Sequence, residues 1–114
     1  MSAPTNATQP NTPQEVLPSA QTLTHATRLA IQQDKPIMLD YYVDTLNKKA
    51  FMGEDAETKE KMLIKSNDEF TSVIQKVYKI QEDFIVLTEN SLYIVSAKCP
   101  KRTIQAKALR DKYE

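Results

Sequence analysis

Residues 82–96 read EDFIVLTENSLYIVS, with eight large apolar side chains in two runs of four, parted by Thr88, Glu89, Asn90 and Ser91. Two strand-forming runs around a short polar break predict a β-hairpin. Glu89-Asn90 serves as a two-residue turn, with asparagine supplying the positive φ such turns use. Counting outward then pairs Thr88 with Ser91, Leu87 with Leu92, Val86 with Tyr93, Ile85 with Ile94 and Phe84 with Val95. Because side chains alternate along a strand, one face collects Phe84, Val86, Tyr93 and Val95, and the other Ile85, Leu87, Leu92 and Ile94. Both faces are apolar. Burying these side chains is worth on the order of 12–24 kcal/mol gross, and fixing the roughly fifteen residues costs about as much. The hairpin therefore needs a cover on each face.

Upstream, PIMLDYYVDTL (36–46) alternates Ile37, Leu39, Tyr41 and Val43 with Met38, Asp40, Tyr42 and Asp44. That period predicts a half-buried strand able to cover one hairpin face, with Asp40 and Asp44 on its wetter side. A carboxylate pair does acid–base work only in a cleft that raises a pKa, so a solvated strand face is the simpler reading. KMLIK (61–65) and TSVIQKVYKI (71–80) are further strands around the polar turn SNDEF (66–70). In the second, Ile74, Lys76, Tyr78 and Ile80 share one face, and its lysines suggest a sheet edge or a partly wet face. NKKAFMGEDAETKEK (47–61) holds the only glycine, Gly53, and reads as a strand end and exposed connection. A short strand around Thr103 closes the series.

Ser19 to Gln33 has a helical pattern, capped by Ser19, with Leu23, Ala26 and Ala30 on one face and Ile31 at its border. Asp34-Lys35-Pro36 ends it, since the residue before proline is pushed out of the helical region. Residues 1–18 carry four of the six prolines and a single charge, Glu15. They predict an extended or disordered tail, either floppy throughout or ordering only against a partner. Residues 106–114 form a basic end. The expected fold is mainly β (α+β): a single domain over 19–105 whose small antiparallel sheet curls toward a barrel, with the 19–33 helix laid against it. A flatter sheet that docks its second face on a partner meets the same demand.

Fifteen basic residues balance fifteen acidic ones, so no global field draws the chain to nucleic acid. No apolar run reaches the length of a membrane span, and no presequence or signal pattern precedes Arg28. One cysteine, Cys99, excludes an internal disulfide and fits a reducing compartment. His25 has no second ligand at metal spacing. The acids at 54–60 lack the spacing of a calcium loop, and a single glycine cannot build a phosphate-cradling loop. No catalytic residue, cofactor or metal is predicted, and an enzyme is not expected.

The blocks DKPIMLDYY (34–42), EFTSVIQKVYKI (69–80) and DFIVLTENSLYIVS (83–96) resemble a family of small proteins of nucleocytoplasmic large DNA viruses, the giant viruses. The family carries no assigned catalytic residues. The resemblance implies a virion protein assembled in the host cytoplasm, a minor capsid protein of a large icosahedral particle that contacts other capsid proteins. The alternative is a soluble regulatory module that binds a protein or nucleic acid during infection. Candidate contact residues are Pro4, Pro10, Pro13, Val16 and Leu17 in the tail, and Lys101, Arg102, Lys107 and Arg110 toward the basic end. The basic end calls for an acidic neighbour, which the 54–60 stretch of a second copy could supply by self-association.

Overall fold

The computed structural model describes residues 17–105. Its elements, in chain order, are α1 (Ala20–Gln33), β1 (Ile37–Met38), α2 (Tyr42–Leu46), β2 (Phe51–Asp55), β3 (Lys61–Ser66), β4 (Glu69–Phe70), β5 (Ile74–Ile80), β6 (Asp83–Thr88), β7 (Leu92–Ser96) and β8 (Lys101–Ile104). β6 and β7 form the expected hairpin in the expected register, from Leu87 opposite Leu92 to Phe84 opposite Val95, and continue to Asp83 opposite Ser96. The turn differs. Asn90 is not among the residues with positive φ. Instead the Thr88 hydroxyl donates to the Ser91 carbonyl and accepts from the Ser91 N–H, so a side chain shapes the turn in place of a left-handed backbone.

Both hairpin faces are covered, by different layers. Ile85, Leu87, Leu92 and Ile94 pack with Ala26, Leu29 and Ala30 of α1, with Ile37 and with Tyr42. Val86 and Val95 pack on the other side with Met52 of β2, Leu63 of β3, Tyr41, Ala50 and Cys99. The result is three layers, a helix and two four-stranded sheets, ordered β1-β7-β6-β5 and β4-β3-β2-β8. This corrects the single antiparallel sheet curled toward a barrel. Neither sheet closes, and each carries one parallel pair, β1 with β7 and β2 with β8. The helix covers one face as expected, and the other is covered by a separate second sheet in place of the curl of the first.

Local differences follow from the same packing. Only Ile37 and Met38 of the 36–46 alternation form a strand, and the chain then turns into α2, leaving Leu39 and Val43 half exposed. Ile37 and Met38 pair with Leu92 and Tyr93 at the edge of the sheet, and the chain leaves that edge after Met38. Tyr41 and Tyr42 instead plug the two opposite core clusters. Within the segment read as a strand end and exposed connection, the exposed turn is 56–60 and residues 51–55 form a full inner strand. Its Gly53 lies under the side chains of Ile64 and Ile104, whose nearest atoms would stand 2.7 and 2.8 Å from an added Cβ. Glycine leaves room for those two neighbours to close over the strand.

A register shift between Ile74 and Lys76 in β5 sends Ile74 into the intersheet core while Tyr78 and Ile80 face the helix side. Strict alternation would have kept them together, and the bulge separates them. β5 is a sheet edge, as its lysines indicated. In α1 the Ser19 cap accepts the Thr22 N–H, and Asp34 ends the helix in the left-handed region. The inward face is Thr22, Ala26, Leu29 and Ala30, whereas Leu23 is 37% and Ile31 76% exposed. Pro18, within the stretch assigned to the tail, is buried.

Ile85→Ala is expected to destabilise the fold by about 2–5 kcal/mol, while Ile31→Ala changes stability by no more than about 0.5 kcal/mol. Urea unfolding of the two variants checks this; equal losses would mean that Ile31, and not the Thr22 face, packs on the sheet.

Candidate functional site

The buried polar groups of the core are structural pins. Asp83 begins β6 at 3% exposure. Its Oδ2 accepts from the Ser19 N–H at 3.1 Å and the Thr22 hydroxyl at 2.8 Å, and its Oδ1 accepts from the Tyr42 hydroxyl at 3.0 Å. A carboxylate at the start of a helix also meets the positive end of the helix dipole. Three donors from α1 and α2 thus converge on one hairpin residue, which fixes how the helix is rotated and explains why Thr22, and not Leu23, faces inward. Thr45 does similar work at the same open end of the hairpin, where Ser96 lies opposite Asp83, donating to the Tyr42 carbonyl and accepting from the Ser96 N–H. Burial, with the hydrogen bond and charge of Asp83, raises the Tyr42 pKa to about 12.

Asp40 and Asp44 lie together as the strand reading had them, though on a turn and a helix. Both face Lys65, whose Nζ is 3.9 Å from Asp40, 3.4 Å from Asp44 and 3.4 Å from Glu69. The same ammonium sits 4.5 Å from the centre of the Tyr41 ring, which meets Tyr93 edge to face. Burial works to lower the Lys65 pKa, but the bond to Asp44 and the charges of Glu69 and Asp40 outweigh it and the net shift is upward. Burial also raises Tyr41 and Tyr93, so at neutral pH the cluster is a cation compensated by acids and lined by neutral phenols. Burial pushes the Cys99 thiol up to about 11, which keeps it protonated and unreactive. Among the described residues no group of three or more His, Cys, Asp or Glu is arranged to hold a metal ion.

The opposite charge gathers at the other end of β3. Lys61 begins that strand, Leu63 enters the core and Lys65 ends near the acids, so the inward side of β3 runs basic, apolar, basic. Around Lys61 a groove of about 260 Å³ is lined by Met52, Glu54, Lys101, Arg102 and Thr103. Three basic residues and one acidic residue border it. Lys101 Nζ lies 5.8 Å from the Phe84 ring centre and the Arg102 guanidinium 4.6 Å from that of Phe51, contacts that spread the two side chains on opposite faces of the sheet. A second groove, of about 360 Å³ beside edge strand β5, shares Lys61 and adds Lys59 and Lys76.

Of the candidate contact residues, Lys101 and Arg102 share the first groove, and Leu17, 68% exposed, lies beside a separate hollow with Gln81, Glu82 and Asp83. Pro4, Pro10, Pro13, Val16, Lys107 and Arg110 fall outside the described residues. In the acidic stretch at 54–60, Glu54 lines the basic groove, Asp55 is 6% exposed and accepts from the Glu57 and Thr58 N–H groups of its own turn, and Glu57 and Glu60 are exposed. Lys61 and Thr103 escaped sequence reasoning, because only the parallel pairing of β2 with β8 brings residues so far apart to one place. Comparison with protein-family models, curated proteins and solved structures finds no match.

The raised phenol pKa values set an alkaline limit. A tyrosine that ionises at its ordinary 10.0 when unfolded, but at about 12 when folded, contributes stability that is complete below pH 10 and lost as pH rises toward 12. Denaturant midpoints are expected to fall across that window, and Tyr42→Phe should make the fall shallower. At pH 7, Asp83→Ala strands buried donors at about 1–3 kcal/mol each and is expected to cost more than Tyr42→Phe. An unchanged alkaline slope in Tyr42→Phe would contradict the assignment.

Proposed function

We propose that this chain is a virion structural protein, a minor capsid protein of a large icosahedral DNA virus, that works by contact with neighbouring capsid proteins. The contact reading is carried by the exposed edge strand β8, where Lys101, Arg102 and Thr103 are exposed at the end of a sheet and beside a basic groove. The viral setting is carried by the resemblance of blocks 34–42, 69–80 and 83–96. The three-layer core serves as a mount, while the Pro-rich tail before Pro18 and the basic residues after β8 extend from it along neighbouring subunits. A single protonated thiol at Cys99 suits assembly in a reducing host cytoplasm.

A second reading has the chain as a soluble regulatory module that binds a protein or nucleic acid during infection. The gathering of Lys61, Lys101 and Arg102 in one groove favours it. Zero net charge and the lack of a ladder of stacking aromatics in the basic segment weigh against nucleic acid.

Mass spectrometry of purified particles of the virus that encodes the chain is the direct test. The expected result is recovery at high copy number, with residues 1–18 protected from protease in intact particles and cleaved after disruption. Absence from the particle would overturn the capsid reading, and DNA or RNA binding that is tight at low salt and weakens steeply as salt rises would favour the second.

A further inference from the structure

We propose that the outer edge of β8 accepts an extended acidic segment of a partner protein as an added strand of the second sheet. This rests on the contact reading above and names the chemistry of the partner. The Met52 N–H donates to the Pro100 carbonyl at 2.8 Å and the Ala56 N–H to the Ile104 carbonyl at 3.0 Å, with Met52 opposite Lys101 and Asp55 opposite Ile104. In a parallel ladder of that phase, residues 100, 102 and 104 turn their backbone groups toward β2, and Lys101 and Thr103 turn theirs away. β8 is the last strand of its sheet. Among the described residues no strand pairs with that outer side, which presents a ready row of donors and acceptors.

The side chains beside this row select charge. Lys101 joins Lys61 on the face toward the hairpin, and Arg102 lies over Phe51 on the other face. Ile104 follows on that second face and packs at the margin of the Met62 and Ile64 cluster. An added strand sends successive side chains to alternate faces. A carboxylate opposite Lys101 therefore meets the two lysines, the next one meets Arg102, and an apolar side chain two positions on lies against Ile104. The pattern is two adjacent acids followed at a spacing of two by an apolar residue. The β8 edge of a second copy is a poor occupant, since it would bring Lys101 and Arg102 up against the same basic pair. The edge strand of the other sheet, β5, carries a bulge at its first residues, Ile74 to Lys76.

Fluorescence anisotropy on the full chain tests this with a short labelled peptide carrying two adjacent carboxylates among valines and threonines. Three controls accompany it: the same peptide with its acids replaced by amides, the same peptide with alternate backbone amides methylated, and size-exclusion chromatography with light scattering of the chain alone. The wild-type chain is expected to bind the acidic peptide more weakly as salt rises. Thr103→Pro removes an outward N–H while sparing the bonds to β2, and it is expected to weaken binding by about tenfold or more. Backbone methylation and the double variant Lys101→Glu with Arg102→Glu should do the same, which keeps the test open should Thr103→Pro fail to fold. Undiminished binding of the methylated peptide, no binding by the wild-type chain, or a dimer that Thr103→Pro dissolves would overturn the proposal. Peptide binding by a protein absent from particles would remove the capsid reading alone, and a protein abundant in particles that ignores the peptide would remove the edge proposal alone.

Discussion

A β-hairpin that is apolar on both faces is stable only between two other layers, and the rest of this molecule is arranged to provide them. Ile85, Leu87, Leu92 and Ile94 take the helix, and Val86 and Val95 take the second sheet. Each residue of the pair Ile85 and Val86 is fully buried although the two point in opposite directions. That double burial sets the order of layers. Of the 36–46 segment only Ile37 and Met38 join the sheet, while Tyr41 and Tyr42 fill the two core clusters on either side of the hairpin.

Hydrogen bonding then makes the arrangement specific. Apolar contacts alone allow α1 to roll about its axis, since alanine-rich faces are shallow and alike. The Asp83 carboxylate removes that freedom by gathering the Ser19 N–H, the Thr22 hydroxyl and the Tyr42 hydroxyl. A half-satisfied version of the same cluster would be costly in a buried site, so the three contacts stand or fall together. At the outer margin, charge is sorted along β3: Lys65 sits among three carboxylates, whereas Lys61 shares its groove with Lys101 and Arg102. A chain with no net charge thus carries one compensated end and one basic end along β3.

Much of the hairpin was legible in the sequence, down to its register, because contiguous apolar runs and a polar break encode pairing by simple counting. The cap at Ser19, the stop at Asp34 and the edge position of β5 were legible for similar local reasons. β2 was not. Its residues Phe51 to Asp55 mix glycine, acids and two apolar groups, and the strand is held by its neighbours more than by its own pattern. The bulge at Ile74–Lys76 and the inward turn of Thr22 were hidden too, one because it breaks the period and the other because threonine carries no hydrophobic signal. Lys101 and Arg102 could be named from charge, but Lys61, Thr103 and the open edge could not, since residues 61 and 103 meet only through β2.

The sequence by itself determined that this protein contains a hairpin needing two covers, a capped helix to its N-terminal side and a chain without net charge. Those features depend on neighbours within a few residues or on composition. Tertiary structure decided that the covers are a helix and a second open sheet, that two strand pairs run parallel, and that one cationic groove borders a strand edge. Parallel pairs join segments whose connection spans most of the domain, and the register that joins them depends on which side chains fit together in the core.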